Sequence, residues 1–457
     1  MTDTRTIPVV AGPITGGSHG WPFAAAVEDL SAIGYVEEEF FVSGLAPRYR
    51  PTGALGEDGH WAAEVAGHEA FRTRVLVQRP ADAAHFNGTV VVCWNNVTAG
   101  FELLADTSSA LAEGFAFACV SAQSVGVDGV GSRPLGLRAW DADRYGELVH
   151  PGDVYSYGIF TEVARAVGPD RAPGAVDPLG GLVVERLLAL GASQSAGRLA
   201  TYVNAVQPVE GVFDAFLLLV HFGSGTALED DDVFDAAAPS PPPIFRLRSR
   251  LRDDLGIPVM VLNSETETMA YFSSRQEDTD TFRFWEVAGA SHGPRPQVER
   301  RAVKLARDGY PTPQRSADPP SEIAYAPVAG AAMAHLQGWM TGGAPPPRQD
   351  PIELAGDPPM IVRDEHENAR GGIRLPQIEV PIAHNTGLSP VAGLGGLGGH
   401  SEPFDAATLA ALYADHADYV GRFSDAARAA VEAGVISKAD ADSLIAEAEA
   451  APVPPTP

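Results

Sequence analysis

The chain has 457 residues, 45% of them hydrophobic, so it can bury a large core as one decorated domain or as two or three domains. Its 59 acidic residues against 32 basic ones give a formal net charge of -27. That balance argues against a nucleic-acid partner and against an anionic membrane surface, because both need clustered lysine and arginine.

The N-terminal stretch MTDTRTIPVV lacks the basic start and apolar core of a secretion signal. The sequence also lacks a run of about 20 apolar residues that could span a bilayer. We therefore expect a cytoplasmic protein, although a chain whose leader had been removed would look the same. Cys93 and Cys119 lie in apolar runs and are expected to be buried thiols rather than a disulfide.

The first predicted elements are strands. Residues 34–44 (GYVEEEFFVSG) and 71–80 (FRTRVLVQRP) have β-branched and aromatic residues that partly alternate with polar ones, which favours half-buried antiparallel strands. Residues 88–94 (GTVVVCW) and 114–122 (GFAFACVSA) are apolar with little alternation, which predicts strands buried on both faces. Between them, residues 102–114 (ELLADTSSALAEG) have helical spacing and end at a glycine.

Strands and helices then alternate along the chain. Residues 140–168 supply a loop and a helix from about Asp153, and further apolar strands are predicted at 213–222, 257–265 and 281–289. Alternation of this kind implies a mostly parallel central sheet, flanked by helices, with right-handed crossovers. The predicted fold class is therefore α/β.

Residues 223–256 interrupt this alternation with an acidic run (LEDDDVFD) and a proline run (PSPPP). The acidic run lacks the spaced Asp or Asn and the glycine of a calcium loop, so we expect a solvated loop. We interpret the segment as an inserted lid or specificity loop over the C-terminal edge of the sheet.

The C-terminal part differs in composition. A helix is predicted at 331–343, followed by an irregular Pro- and Gly-rich stretch whose glycines lack the spacing of a dinucleotide-binding loop. Residues 405–450 predict three short amphipathic helices, the last opening on a capping box from Ser437 to Asp440. We thus predict a core at 1–310, an extension packed on it at 311–400, and a helical tail at 401–457.

The segment LLALGASQSAG, residues 187–197, predicts a buried strand, a sharp turn with a hydroxyl at its tip, and a helix start. This is the setting of a nucleophile elbow, in which small residues flank the serine because the turn is tight. Ser195 stands where glycine is usual and offers a second serine. We prefer Ser193, because the apolar run ends at Leu190 and leaves Ser195 on the first helical turn. An ordinary strand-to-helix connection also favours these residues.

An acyl-transfer serine needs a base and a carboxylate that orients that base. In hydrolases with this elbow, the acid and then the histidine follow the serine on loops after later strands. Glu267 follows the strand at 257–265, and His292 follows the strand at 281–289. Glu265 competes as the acid, but we prefer Glu267, which lies where the loop has cleared the sheet. Glu265 is then expected to be a supporting acceptor behind it.

The oxyanion of such a reaction is bound by backbone N–H groups, one of them from the residue after the nucleophile. Gln194 supplies that group. The loop at 94–100 (WNNVTAG) lies where the second donor should come from, and Val97 or Thr98 is the positional candidate. Asn96, with the asparagine before it, is expected to brace this loop.

Other histidines have weaker claims. His150, His221 and His384 could line a pocket, but each is more often a structural residue held by hydrogen bonds. The sequence has no His, Cys and Asp cluster with metal-ligand spacing, so we predict no metal and no cofactor.

Several segments resemble the large α/β-hydrolase domain-containing family of bacteria: VEEEFFVSG, WDADRYGELVHPGDVYSYGIFTEVARAVG, LGASQSAGRL, VLNSETE and ENARGGIRLPQIEVPIAHNTG. The resemblance runs from about Val9 to Gly393 and leaves out the tail after His400. It implies an α/β-hydrolase fold with one decorated catalytic domain, and esterase-type chemistry. Ser193 matches the nucleophile of the family's G-x-S-Q-S block. The resemblance names no substrate.

Residues and resemblance together predict a serine esterase that cleaves a small-molecule ester, with Ser193, His292 and Glu267 as its triad. The same triad would serve a lactonase, an amidase or an acyltransferase, and a hydrolase scaffold can also be a non-catalytic binding protein. The acyl and alcohol groups and the oligomeric state stay open. The segments 223–256 and 370–393 are expected to shape the pocket.

Overall fold

The computed structural model describes residues 7–106, 108–131, 134–171, 176–229, 247–311, 319–389 and 393–453. It divides into two compact units. The first comprises Met1–Val259 and Ser273–Phe282, and the second comprises Met260–Phe272 and Arg283–Pro457. The predicted boundaries at residues 310 and 400 stay predictions.

The first unit begins with antiparallel strands, as predicted. β1 (Val9–Ala11) pairs with β2 (Tyr35–Pro51), and β2 pairs with β3 (Ala63–Pro80) in a long ladder from Tyr35 opposite Pro80 to Pro51 opposite Ala63. The register shifts between Arg48 and Tyr49, where a bulge interrupts the ladder.

Parallel strands follow: β4 (Thr89–Trp94), β5 (Ala116–Val120), β6 (Arg186–Ala192) and β7 (Ala215–Leu219). Within the unit the strand order is β1-β2-β3-β5-β4-β6-β7. Every residue of β4 and β5 is buried, which confirms the expectation that these two apolar runs are covered on both faces, and every residue of β7 is buried as well. Cys93 and Cys119 are free, buried and opposite each other in the β4–β5 register.

The helices of the first unit connect these strands. The predicted helix before β6 begins at Ser156, after a 3₁₀ turn at Asp153–Tyr155. A π-helical turn at Tyr202–Val206 continues the helix that follows β6. In chain order they are α1 (Ser124–Asp128), α2 (Leu137–Trp140), α3 (Ala142–Tyr145), α4 (Ser156–Val167), α5 (Gln194–Thr201) and α6 (Gln207–Glu210).

The helix predicted at 102–114 is wrong for most of its length. A 3₁₀ helix covers only Ser108–Glu113, and Leu103 is extended and bridges Asn96. Glu102 explains the difference, because its buried carboxylate receives hydrogen bonds from Arg74 and Asn95, both at 3.1 Å. These tertiary contacts outweigh the local helical pattern.

The same carboxylate belongs to a buried ion network. Arg74 also contacts Glu39 at 2.5 Å, and Arg144 contacts the other oxygen of Glu39 at 2.6 Å. Tyr145 donates to Glu39 at 2.8 Å. Two of the segments that carried the family resemblance, 36–44 and 140–168, therefore meet in this network.

The predicted insertion at 223–256 is described only at its ends. β8 (Ser224–Gly225) pairs with β9 (Leu247–Arg248). The acidic run from residue 230 and the whole proline run lie outside the described residues.

The second unit contains the neighbouring strands β10 (Val259–Ser264) and β11 (Phe282–Val287) except for the first residue of each, and both strands are fully buried. α7 (Thr268–Tyr271) follows β10, and α8 (Arg295–Arg307) follows β11. α8 was not predicted from the sequence; it buries only Leu305 and so lacks a wide apolar face. α9 (Ala326–Met340) contains the predicted helix at 331–343 except for its last three residues.

The rest of the second unit combines small strand pairs with helices. β12 (Leu354–Ala355) pairs with β13 (Met360–Ile361), α10 spans Pro376–Glu379, and β14 (Ala383–Thr386) pairs with β15 (His400–Pro403). The predicted tail helices are confirmed as α11 (Ala406–Leu412), α12 (His416–Glu432) and α13 (Lys438–Ala450), with the Ser437–Asp440 capping box. In the part of the chain that is described, no helix has the length and apolar character to cross a membrane.

Candidate active site

Ser193 lies at the tip of the turn between β6 and α5. Its backbone has φ 60° and ψ -120°, a strained conformation for a residue with a side chain. The turn is tight, as Gly191 shows: a Cβ atom on this residue would lie only 2.6 Å from the carbonyl oxygen of Ser195. The Ser193 N–H donates to the carbonyl of Leu219 at 2.9 Å and fixes the turn beside β7. Ser193 is half-buried, whereas the residues of α5 that follow it are buried.

Ser195 has a different position in the same turn. It is fully buried, and its hydroxyl both donates to the Ala192 carbonyl and accepts from the Ala192 N–H, each at 2.9 Å. The hydroxyl therefore closes the turn from inside. This geometry supports Ser193 over Ser195 as the nucleophile.

A buried polar network supports the elbow helix from behind. Arg198 contacts Asp153 at 3.0 Å, and the Ser124 N–H donates to the same carboxylate at 2.7 Å. Burial alone would raise the pKa of Asp153, but the Arg198 charge, His150 and Ser124 together hold that pKa below its usual value. This network was not predicted from the sequence. Its one sign there is the charged residue Arg198 within the otherwise small and apolar stretch that follows the turn.

The loop after β4 is braced by its asparagines, as predicted. Asn96 donates to the Ala192 carbonyl at 3.0 Å, and its side-chain oxygen accepts the Thr98 N–H at 2.8 Å. The Val97 N–H is 3.5 Å from the side-chain oxygen of Gln194, at the outer limit of a hydrogen bond. The Thr98 N–H is thus already hydrogen-bonded within its own loop. The Val97 N–H is the more available of the two predicted oxyanion donors.

The other predicted oxyanion donor is the backbone of Gln194. It is the first residue of α5, and the first N–H groups of a helix have no partner within that helix. Its side chain donates to Gln123 at 3.1 Å, inside the first unit. The role of this backbone N–H as an oxyanion donor stays a prediction.

In the second unit, Glu267 and His292 form a direct hydrogen bond. Oε1 of Glu267 lies 2.6 Å from Nδ1 of His292. Glu267 is fully buried, and its Oε2 accepts from the hydroxyl of Ser264 at 2.6 Å and from the Ser264 N–H at 2.9 Å. In a pair made of a carboxylate and a neutral ring, Nδ1 carries the proton and Nε2 is the ring's acceptor, because a carboxylate only accepts. The His292 side chain is 11% exposed.

Glu265 has other partners. One oxygen accepts the Gly289 N–H at 2.7 Å, and the other lies 2.7 Å from Arg363 and 2.6 Å from the hydroxyl of Thr386. Glu267 therefore contacts the His292 ring, whereas Glu265 contacts the Gly289 backbone and Arg363. The choice of Glu267 as the acid stays a prediction. Neither Arg363 nor Thr386 was predicted as a site residue, although Thr386 lies in one of the segments that carried the family resemblance.

The remaining histidines have individual settings. His150 donates from Nε2 to the Ala122 carbonyl at 2.9 Å and accepts the Gly152 N–H at 3.2 Å, so it is a structural residue. Burial lowers the pKa of His221 to about 3, which keeps that ring neutral. His384 is half-buried on β14, where burial and then the Arg363 charge lower its pKa. Its place in a pocket stays a prediction.

Among the described residues, no group of three or more His, Cys, Asp or Glu side chains is arranged to hold a metal ion.

Comparison with known proteins places the chain by its sequence. Residues 10–446 match the model of the "Alpha/beta hydrolase domain" family, which confirms the predicted resemblance. The match continues beyond the predicted limit at Gly393 and includes most of the tail, which was expected to lie outside it. No curated protein sequence matches the chain.

Three similar solved structures are distant in sequence. Esterase Est22 is 11% identical, with 61% of this chain and 79% of that one covered and a TM-score of 0.31. A ferulic acid esterase from Streptomyces cinnamoneus is 14% identical (66% and 90% covered, TM-score 0.31), and a glucuronoyl esterase from Solibacter usitatus is 9% identical (63% and 81% covered, TM-score 0.31). At these values the assignment rests on the family model.

Proposed function

Because this chain belongs to the alpha/beta hydrolase domain family, we propose that it is a serine hydrolase that cleaves carboxylic esters of small molecules. The observation that carries the proposal is the 2.6 Å hydrogen bond between Glu267 and His292. A buried carboxylate on Nδ1 leaves Nε2 as a base, which is what a serine nucleophile needs. Ser193, at the tip of its elbow, is that nucleophile.

In the proposed reaction, the Ser193 hydroxyl attacks the acyl carbon while Nε2 of His292 takes the hydroxyl proton. Glu267 keeps the Nδ1 proton in place and stabilises the imidazolium that forms. The backbone N–H groups of Gln194 and Val97 stabilise the charge on the former carbonyl oxygen. His292 then gives its proton to the leaving alcohol, which leaves an acyl-enzyme on Ser193.

Water completes the cycle. His292 takes a proton from the water as it attacks the acyl-enzyme, and the second tetrahedral intermediate uses the same two donors. Collapse of that intermediate breaks the bond to Ser193, which regains its proton from His292. The products are one carboxylic acid and one alcohol.

The test is a pair of variants in the same turn, assayed with p-nitrophenyl acetate and butyrate. Ser193→Ala is expected to lower kcat/KM at least about 1,000-fold, since it removes the nucleophile. Ser195→Ala is the matched control. It is expected to retain activity within about tenfold and to lose about 1–3 kcal/mol of stability, because Ala192 loses its partner. A folded Ser193→Ala variant with full activity would contradict the proposal.

A further inference from the structure

A buried cluster in the second unit joins the segment from Arg363 to Gly387 to the loops that carry Glu267 and His292. We propose that Glu265, Arg363 and Thr386 are positioning residues that hold these two loops in the relative position that catalysis needs. This inference rests on the proposed function and adds to it, because it makes the C-terminal extension part of the catalytic machinery.

Glu265 is the centre of the cluster. Its side chain accepts the Gly289 N–H at 2.7 Å, and its own N–H donates to the Ala290 carbonyl at 3.0 Å. The turn that carries Glu267 is thereby bound at two points to the loop that leads into His292. Displacement of Glu265 is therefore expected to change the position of Glu267 relative to His292.

A buried carboxylate stays charged only if partners replace its lost hydration. Glu265 is fully buried, and it meets Arg363 at 2.7 Å and the Thr386 hydroxyl at 2.6 Å. Arg363 also donates to that hydroxyl at 3.1 Å, so the three groups form a closed triangle. The extension thus supplies the counter-charge and the orienting donor for Glu265.

A second connection runs through Thr266. Its hydroxyl accepts the His292 N–H at 3.0 Å and donates to the Gly387 carbonyl at 2.6 Å. The residue after Thr386 is therefore connected to the backbone of His292 by a single side chain.

The packing at this point leaves no room for adjustment. A Cβ atom on Gly387 would lie 2.4 Å from the Ala290 carbonyl oxygen and 2.6 Å from the Thr266 nitrogen. Both neighbours are backbone atoms, which cannot move aside as a flexible side chain can. The position of β14 and of Gly387 directly after it thus fixes the position of both loops.

These contacts act on the direction of the His292 ring and do not touch the ester. Misplacement of a catalytic group by about 1 Å can cost about 100-fold in rate. Loss of the cluster is therefore expected to lower kcat and to leave KM unchanged.

The test uses the full chain with Thr386→Val and Arg363→Gln as the disruptive variants. Both are expected to lower kcat about 10- to 100-fold, with KM within about twofold. Thr386→Ser, which keeps the hydroxyl, and Arg428→Gln, which changes a 63% exposed arginine of the tail helix α12, are expected to stay within about twofold. Arg363→Gln removes the counter-charge of Glu265. Thr386→Val keeps that ion pair, so it provides the test if Arg363→Gln does not fold.

A readout independent of turnover separates this inference from the proposed function. In protein with ¹⁵N-labelled histidine, the Nδ1–H signal of His292, assigned by its loss in His292→Gln, is expected to shift or broaden in Thr386→Val and to persist in Thr386→Ser. A wild-type protein with this signal and without ester turnover would overturn the proposed function and still test the positioning cluster. The inference is overturned if the disruptive variants leave both kcat and the signal unchanged, or if they only raise KM. It is also overturned if Thr386→Ser loses kcat and the signal as Thr386→Val does.

Discussion

The elbow around Ser193 and the pair of Glu267 and His292 are built in opposite ways. The elbow is determined locally, since its closing contacts join Gly191, Ala192 and Ser195 within a few residues. The pair depends on distant residues, because Glu265 beside it is held by Thr386, 121 positions away. A tight turn therefore leaves a short sequence motif, whereas a supported carboxylate leaves only scattered residues.

The largest expected effect concerns the acid of the pair. In Glu267→Gln, the Ser264 N–H and hydroxyl require the amide oxygen on their side, which turns the NH₂ group toward Nδ1 of His292. The ring then adopts the wrong tautomer, and kcat is expected to fall about 10³- to 10⁴-fold with the fold intact. Steady-state kinetics with p-nitrophenyl esters measure this.

The control is Glu299→Gln, the same change on an exposed face of α8, where the side chain is 55% exposed. It is expected to stay within about twofold of wild type. Equal losses in both variants would show that the 2.6 Å pair has no special role in catalysis.

The next effect tests whether the elbow is only local. Asp153→Asn leaves the Arg198 charge buried without its carboxylate, which costs about 3–5 kcal/mol of unfolding free energy. Urea unfolding measures this cost. Asp128→Asn, which breaks a surface pair with Arg138 at 2.6 Å, is the control and is expected to cost less than about 1 kcal/mol.

This ion pair also predicts a pH dependence. The pKa of Asp153 is lower in the folded protein than in the unfolded chain, so the pair contributes its full stability above the unfolded value of about 4. That contribution is lost as the pH falls through the lower folded value. Asp153→Asn should lack this part of the acid sensitivity, and equal acid sensitivity in both proteins would contradict the role given to the pair.

The smallest expected effect sharpens the local half of the comparison. Gly191→Ala places a methyl group 2.6 Å from a backbone oxygen and is expected to destabilise by about 1–3 kcal/mol, with loss of activity. Gly338→Ala, on an exposed position of α9 with open space around its Cβ, is expected to be neutral or to stabilise by about 0.5–1 kcal/mol. Unfolding midpoints that move equally would show that the turn tolerates a side chain.

The same contrast explains how much the sequence could predict. The strands from β2 to β7, the elbow and the tail helices follow from periodicity and from turn chemistry, both of which are local. The preference for Glu267 over Glu265 came from its position after a strand, and the 2.6 Å contact with His292 supports it.

Other features could not be predicted because their causes are tertiary. The helix proposed at 102–114 gave way to the buried contacts of Glu102, and α8 has almost no apolar face. Arg363 and Thr386 act on a residue that is far away in sequence. A single sequence shows the type of such residues and not their partners.

The most direct test of the account is to react the purified protein with a fluorophosphonate and to locate the adduct by peptide mass spectrometry. The account predicts one adduct on Ser193, which the elbow presents, and none on Ser195, whose hydroxyl is bonded to Ala192 at 2.9 Å. An adduct on Ser195, or no adduct on a folded protein, would contradict it.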